Sequence, residues 1–201
     1  MHDLDIKVDD DFEDLKKINR EFDIEVILLG EEKVGKTQII NKLINKEFNE
    51  NYIKTFSAKK DKTKIKIVDD IIKSKKLSIY DLPGSKQFRS INNTFLKSSE
   101  IILLVYDITN IESFIELYNW NELLTKKENI LKCVIGNKND LIEKREISQE
   151  DGKNFANKIG ALFFEINAKD YINIYDIFTK IVVNIVYYMK KKIKKKKNKI
   201  V

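Results

Sequence analysis

Hydrophobic positions along the chain fall into two alternating patterns: short continuous runs and stretches with helical spacing. Residues 24–29 form a nearly continuous apolar run, which is typical of a strand buried on both faces of a sheet. Residues 37–46 follow with apolar side chains at helical spacing, which predicts a helix. The same alternation continues along the chain. The further predicted strands are 64–70, 75–80, 101–106, 131–135 and 162–166, and the further predicted helices are 112–127, 148–159 and 172–189.

Strands that alternate with helices predict right-handed crossover connections and a mainly parallel sheet. The predicted strands 64–70 and 75–80 are separated only by a short charged stretch, which suits a hairpin at the edge of the sheet. We therefore predict an α/β fold with a six-stranded, mostly parallel sheet, one antiparallel edge strand and helices on both faces. In such folds a ligand binds at the carboxyl ends of the strands.

Charge is distributed unevenly and marks both ends of the chain. Residues 1–14 hold seven acidic residues and one Lys, whereas residues 190–199 hold eight Lys. No Pro/Gly/Ser-rich linker divides the part between them, because the chain has only one Pro and six Gly. We predict an acidic N-terminal extension at residues 1–23, one folded domain at residues 24–189 and a polybasic C-terminal tail at residues 190–201.

Composition excludes several classes of protein. Cys133 is the only Cys and cannot form an intramolecular disulfide, and His2 is the only His, which excludes His-based catalytic triads and His-rich metal sites. No apolar run follows Met1, so a secretory signal is not expected. Polar residues interrupt the predicted helix 172–189, which argues against a membrane span. These features predict a soluble, cytoplasmic protein.

A glycine-rich motif follows the first predicted strand directly. Gly30-Glu31-Glu32-Lys33-Val34-Gly35-Lys36-Thr37 matches the pattern G-x-x-x-x-G-K-[ST]. Backbone amides of such a turn, with the N-terminus of the next helix, cradle the phosphates of a nucleotide. Lys36 would reach the β- and γ-phosphates, and the Thr37 hydroxyl would bind Mg²⁺. The motif predicts a P-loop fold that binds a nucleoside triphosphate, but it leaves the base open.

Two further motifs follow the fifth and sixth predicted strands. Gly136-Asn137-Lys138-Asn139-Asp140 contains N-K-x-D, and Asn167-Ala168-Lys169 comes after the last strand. With the phosphate-binding motif, in this order and at this spacing, they make the chain resemble the small GTPases of the Ras superfamily. A P-loop kinase for adenosine nucleotides is the alternative that N-K-x-D disfavours.

The resemblance implies how the base would be recognised. Asp140 would accept two hydrogen bonds from the N1 and N2 edge of guanine, an edge that adenine does not match. Asn137 and Lys138 would brace the loop and the ring, and the Ala168 amide would contact the guanine O6 between Asn167 and Lys169. Asn167 stands where the family usually has Ser.

The same resemblance implies two nucleotide-sensing segments. Thr55 lies 18 residues after Thr37 and would bind Mg²⁺ and the γ-phosphate, while Phe48 would pack against guanine. Asp81-Leu82-Pro83-Gly84 matches D-x-x-G, so Asp81 would hold Mg²⁺ through water and the Gly84 amide would sense the γ-phosphate. Thr37, Thr55 and Asp81 are therefore the expected metal ligands. Loss of the γ-phosphate would release both segments.

Within the superfamily the Rab branch is the most similar. Residues 104–109 read L-V-Y-D-I-T, as in Rab proteins, and residues 87–91 resemble the Rab stretch R-F-R-S-I. Residues 56–60 depart from the usual I-G-V-D-F. The resemblance implies a GTP/GDP switch that regulates vesicle and membrane traffic. Its partners would be an exchange factor, a GTPase-activating protein and effectors that bind the two nucleotide-sensing segments, which are the switch segments of this family.

One catalytic position departs from the family. Ser85 stands where most Ras-superfamily GTPases place the Gln that orients the attacking water, and Glu32 places a carboxylate near the γ-phosphate. We expect Lys36, Thr55, Gly84 and Ser85 to form the catalytic group of a weak GTPase that converts GTP to GDP and phosphate. Gln87 or an activating protein could compensate. The alternative function is a hydrolysis-deficient, GTP-binding scaffold for effectors.

The lysine-rich end of the chain has three interpretations. Lys190 to Lys199 could attract anionic lipid and place the protein peripherally on a membrane, could serve nuclear localisation or nucleic-acid binding, or could be a solvated tail without a function. No Cys lies near Val201, so no prenyl anchor is expected. Aromatic residues fall on core-facing positions, so nucleic acid is not an expected partner.

Overall fold

The computed structural model describes residues 23–67, 74–85, 95–125, 127 and 130–197, with side chains described only to Met189 in the last helix. Six strands form one sheet: β1 (Ile24–Leu29), β2 (Lys59–Lys66), β3 (Ser74–Asp81), β4 (Ile101–Asp107), β5 (Leu131–Asn137) and β6 (Leu162–Glu165). The helices are α1 (Lys36–Asn45), α2 (Ile111–Glu122), α3 (Gln149–Lys158) and α4 (Tyr171–Lys197), with a short 3-10 helix at Ile142–Lys144.

The sheet has the strand order β2-β3-β1-β4-β5-β6. Strands β3, β1, β4, β5 and β6 are parallel, and β2 pairs antiparallel with β3 along eight residues at the edge. The predicted fold class is confirmed, including the single antiparallel edge strand. Because the order reverses between β3 and β4 around β1, the loops after β1, β3, β5 and β6 meet at one rim of the sheet.

The core consists of two apolar clusters, one on each face of the sheet. Alternate residues of β1 belong to opposite clusters, Val26 and Leu28 to one and Ile27 and Leu29 to the other. The first cluster is completed by α1 and α4 (Ile39, Ile40, Leu43, Ile174, Ile177, Ile181, Ile185), and the second by α2 and α3 (Phe114, Leu117, Trp120, Phe155, Ala156). Each fully buried large side chain stabilises the fold by about 1.5–3 kcal/mol, so the rim loops rest on a rigid base.

Cys133 lies in β5 within the first cluster, as the apolar run around it predicts. Its side chain is fully buried, and burial raises the pKa of the thiol well above its usual range. Among the described helices none combines the length and the apolar composition that crossing a bilayer requires.

Three element boundaries differ from the prediction by five residues or more. Helix α4 continues to Lys197 instead of ending at residue 189, because Lys is a good helix former and nothing in the run 190–197 breaks the helix. Strand β2 begins at Lys59, five residues earlier than predicted, since only Ile65 of its side chains is buried and the other positions carry no apolar signal. Helix α2 ends at Glu122 rather than at residue 127, where tight turns close the helix.

Candidate functional site

A cavity of about 490 Å³ opens at the rim where the carboxyl ends of the strands meet. This volume lies within the range of small-ligand sites in proteins. Of the residues predicted to bind the nucleotide, the following line the cavity: Glu32, Lys33, Gly35, Lys36, Thr37, Phe48, Thr55, Gly84, Asn137, Lys138, Asp140, Asn167, Ala168 and Lys169. Gly30, Glu31, Val34 and Asp81 do not line the cavity but are hydrogen-bonded to residues that do. The structure therefore brings the five sequence motifs together at one place.

The loop between β1 and α1, residues 30–35, requires its two glycines. Gly30 has φ of 146°, and a Cβ there would lie 2.1 Å from the Val105 carbonyl oxygen. Gly35 has φ of 97°, and a Cβ there would lie 2.3 Å from Asn137 Nδ2. Since both angles also disfavour a side chain, the loop keeps an open concave backbone that can approach phosphates closely.

Lys36 is held inside this loop. Its Nζ donates to the carbonyl oxygens of Gly30 at 2.8 Å and Glu31 at 2.9 Å. Burial lowers the pKa of Lys36 to about 8, against the opposing effect of the nearby Asp81 carboxylate. A Cβ on Gly84 would lie 2.6 Å from the same Nζ, so the D-x-x-G motif reaches the loop from β3. Lys36 and Gly84 therefore lie next to each other in the wall of the cavity.

Three oxygen-bearing side chains converge beside Lys36. Thr37 Oγ1 donates to Asp81 Oδ2 at 2.7 Å and lies 3.1 Å from Thr55 Oγ1. The other carboxylate oxygen, Asp81 Oδ1, is buried without a hydrogen-bond partner within the described part of the chain, and burial raises the pKa of this carboxyl. A buried carboxylate oxygen that the surrounding protein leaves unpaired fits the chemistry of a bound cation.

This oxygen set fits Mg²⁺. Magnesium prefers oxygen ligands and keeps water and substrate phosphates in its coordination sphere, so two hydroxyls and one carboxylate are enough protein ligands. Among the described residues no group of three or more His, Cys, Asp and Glu could hold a metal by itself.

Asn137 connects the motifs at the other end of the cavity. Its side chain is buried, donates from Nδ2 to the Val34 carbonyl oxygen at 2.8 Å and accepts from the Ala168 amide at 3.2 Å. The loops after β1, β5 and β6 are thereby joined through one amide group. Lys138 has φ of 65° and its ammonium group pairs with Asp107, which fixes the start of the N-K-x-D loop.

Asp140, Lys169 and Phe48 lie together at this end. Lys169 Nζ is 3.7 Å from Asp140 Oδ2 and 5.6 Å from the centre of the Phe48 ring. Asp140 is exposed at the cavity rim, so its carboxylate can accept hydrogen bonds from a ligand. The Asp140 carboxylate can accept two hydrogen bonds and the Phe48 ring offers an aromatic face, so this end of the cavity suits a planar base with two adjacent N–H donors.

Ser85 does not line the cavity. Its Oγ is buried near the Glu32 carboxylate without hydrogen-bond geometry. The pKa of Glu32 is lowered, chiefly by Lys54 and to a smaller extent by the nearby Ser85 hydroxyl. Of the predicted catalytic group, Lys36, Thr55 and Gly84 line the cavity and Ser85 does not. Gln87, named as a possible substitute, lies outside the described residues.

Sequence reasoning missed the segment between Phe48 and Thr55, which forms one side of the cavity. Asn49, Glu50, Asn51, Tyr52 and Ile53 line it. The Asn49 amide donates to Gln38 Oε1 at 2.9 Å, which holds the start of the segment to α1. The segment carries no motif of its own, and only its position between two predicted contact residues could have indicated it. We call residues 48–55 the switch I segment.

Comparisons with known proteins agree with this arrangement. The Ras family model matches residues 25–187. Ras-related protein RABD1 of Arabidopsis thaliana is 32% identical over 165 residues, which cover 80% of this chain and 79% of that protein. Ras-related protein RIC1 of Oryza sativa subsp. japonica is 34% identical over 165 residues, covering 80% of each. Ras-related protein Rab-12 of Mus musculus is 36% identical over 172 residues, covering 84% of this chain and 70% of that protein. The chain belongs to the Ras family, in which it is a Rab-like small GTPase.

Proposed function

We propose that this protein is a Mg²⁺-dependent GTP/GDP switch that regulates intracellular membrane traffic and hydrolyses GTP slowly. The observation that supports this function best is the convergence of a phosphate-binding loop, three metal-ligand oxygens and an acceptor carboxylate around one cavity. The Rab-like character of the chain supports the traffic role. An exchange factor, a GTPase-activating protein and effectors would act through the switch segments.

Different residues of the cavity would bind the phosphates, the metal ion and the base. Lys36 would exchange its two carbonyl contacts for oxygens of the β- and γ-phosphates, a charge-assisted contact that the buried site strengthens. Thr37, Thr55 and Asp81 would hold Mg²⁺, which supplies positive charge against the charge that develops on the phosphates. Asp140 would select guanine, with Phe48 and Lys169 beside the base. Because Thr55 and Gly84 lie in separate loops, release of the γ-phosphate would free both.

Slow hydrolysis follows from the place of Ser85. A Gln side chain at this position could orient water against the γ-phosphate, and orientation supplies much of the rate in this reaction. The Ser85 hydroxyl is about two bonds shorter and is buried outside the cavity. The GTP form should therefore be long-lived in the absence of a partner.

Ser85→Gln should raise the single-turnover rate of GTP hydrolysis by roughly ten- to a hundredfold, because the longer amide can reach the water. The rate is measured by release of phosphate from preloaded protein. Thr125→Gln, an exposed change in the turns that follow α2, is the matched control and should leave the rate unaltered. An unaltered rate in Ser85→Gln, with nucleotide affinity intact, would contradict the role of this position.

A second function, that of a GTP-bound scaffold, is favoured by the position of Ser85 outside the cavity lining. If no partner completes the catalytic group, the protein would remain in its GTP form and act as a constitutive scaffold for effectors. Thr55 and Gly84 line the cavity, which favours a working switch. Ser85 does not line it, which favours the scaffold. The nucleotide content of the purified protein separates the two functions, since a scaffold would retain GTP and a switch would accumulate GDP.

The lysine-rich end supports a peripheral membrane location for an otherwise cytoplasmic protein. Helix α4 carries the lysine-rich sequence onward from the folded domain as continuous helix to Lys197. Anionic cytoplasmic lipid attracts such a segment by about 1 kcal/mol per Lys near the surface. We propose a weak, salt-sensitive membrane contact through Lys190 to Lys199.

A further inference from the structure

An ion pair joins the phosphate-binding loop to the switch I segment. Lys54 Nζ lies 2.8 Å from Glu32 Oε1, with the two side chains 36% and 29% exposed. Glu32 lines the cavity, and Lys54 directly precedes Thr55. The pair therefore bridges the cavity mouth next to the expected metal ligands.

A second contact lies beside the first. Lys33 Nζ is 5.6 Å from the centre of the Tyr52 ring, within reach of a cation–π interaction. Glu32 and Lys33 of the loop thus contact Lys54 and Tyr52 of the switch I segment, respectively. The hydroxyl oxygens of Thr37 and Thr55, 3.1 Å apart, make a third contact, between the start of α1 and the switch I segment. The segment is held along the loop at several points, and the Glu32–Lys54 pair is the only one of these contacts between opposite charges.

We propose that the Glu32–Lys54 pair is a latch that holds the switch I segment over the bound nucleotide and slows nucleotide release. This inference rests on the proposed function. Lys54 acts as a positioning residue: it fixes the segment that carries Thr55 and does not itself line the cavity. The latch consists of side chains that neither the phosphate-binding motif nor the D-x-x-G motif specifies.

The pair also compensates the negative charge of Glu32 at the phosphate end of the cavity. A carboxylate at the phosphate end of the cavity repels a triphosphate unless a cation compensates it, and Lys54 supplies that cation. Removal of Lys54 alone should therefore be worse for nucleotide retention than removal of both charges. A merely structural role for Lys54 would not produce this order.

The test measures dissociation of a fluorescent, non-hydrolysable GTP analogue from full-length protein in the presence of Mg²⁺ and excess unlabelled nucleotide. Lys54→Gln should raise the dissociation rate roughly two- to fivefold, as expected of a partly exposed ion pair. Glu32→Gln and the double variant should have smaller and similar effects, and Lys54→Arg should remain near the original rate. Higher ionic strength should speed release from the original protein but not from the double variant.

Lys62→Gln is the matched control, because it removes a Lys from the exposed Lys62–Asp23 pair away from the cavity. It should not change the rate. Equal rates for Lys54→Gln and the original protein, or effects of the two single changes that simply add, would overturn the latch and leave the proposed function standing. Absence of analogue binding by the original, folded protein would instead overturn the proposed function and the latch with it.

Discussion

Replacing Asp140 by Asn should lower the affinity for guanine nucleotides by roughly a hundredfold or more and should create affinity for xanthine nucleotides. A carboxylate accepts from both N–H groups of guanine, whereas an amide has one acceptor and places a donor against the second N–H. Xanthine carries a carbonyl oxygen where guanine has its amino group, so the Asn amide can donate there. Asp140 lines the cavity at its rim, so the change alters ligand contacts rather than the core.

Competition between labelled GDP and unlabelled nucleotides measures this change in preference. Glu143→Gln, which removes one exposed carboxylate from the adjacent 3-10 helix, is the control and should keep the preference for guanine. Retained guanine affinity in Asp140→Asn would show that another group reads the base, and the assignment of the N-K-x-D loop would be wrong.

Replacing Asn137 by Ala should destabilise the protein by about 2–4 kcal/mol, because it leaves two buried backbone groups without partners. These groups are the Val34 carbonyl oxygen and the Ala168 amide, which belong to different loops of the cavity. The loss should appear as a fall in the melting temperature of about 5–15 °C for a domain of this size. Nucleotide affinity should fall as well, since the three loops are no longer joined.

Asn119→Ala is the matched control for this change. Asn119 is exposed on α2, and its side-chain amide donates to the neighbouring Glu116 carboxylate. Its replacement should change the free energy of unfolding by no more than about 0.5 kcal/mol. If Asn137→Ala were equally mild, the buried amide would not be the connection that holds the cavity loops together.

The fold could be predicted from the sequence because its central strands are buried on both faces. Residues 24–29 read as a nearly continuous and residues 101–106 as a continuous apolar run, and the structure places them side by side as β1 and β4. The edge strand β2 shows why other boundaries could not be predicted. Its side chains are mostly Lys and Thr facing solvent, so backbone pairing with β3 defines this strand and leaves no trace in the hydrophobic pattern.

The cavity could be predicted as far as it depends on motifs. Residues of five separate motifs line it or form its wall, because each motif ends a strand or begins a helix at the same rim. Contacts between loops could not be predicted in this way. The Glu32–Lys54 pair depends on how the switch I segment crosses the loop, and that path has no periodic signal in the sequence.

Calorimetric titration of the full-length, nucleotide-free protein with GDP and GTP in the presence of Mg²⁺ tests the central claim most directly. The proposed function predicts one binding site that takes both guanine nucleotides and gives no binding heat with ADP or ATP at the same concentrations. Removal of Mg²⁺ should weaken binding, since Thr37, Thr55 and Asp81 are expected to hold the metal. Folded protein that binds neither guanine nucleotide, or binds adenine nucleotides equally well, would contradict it.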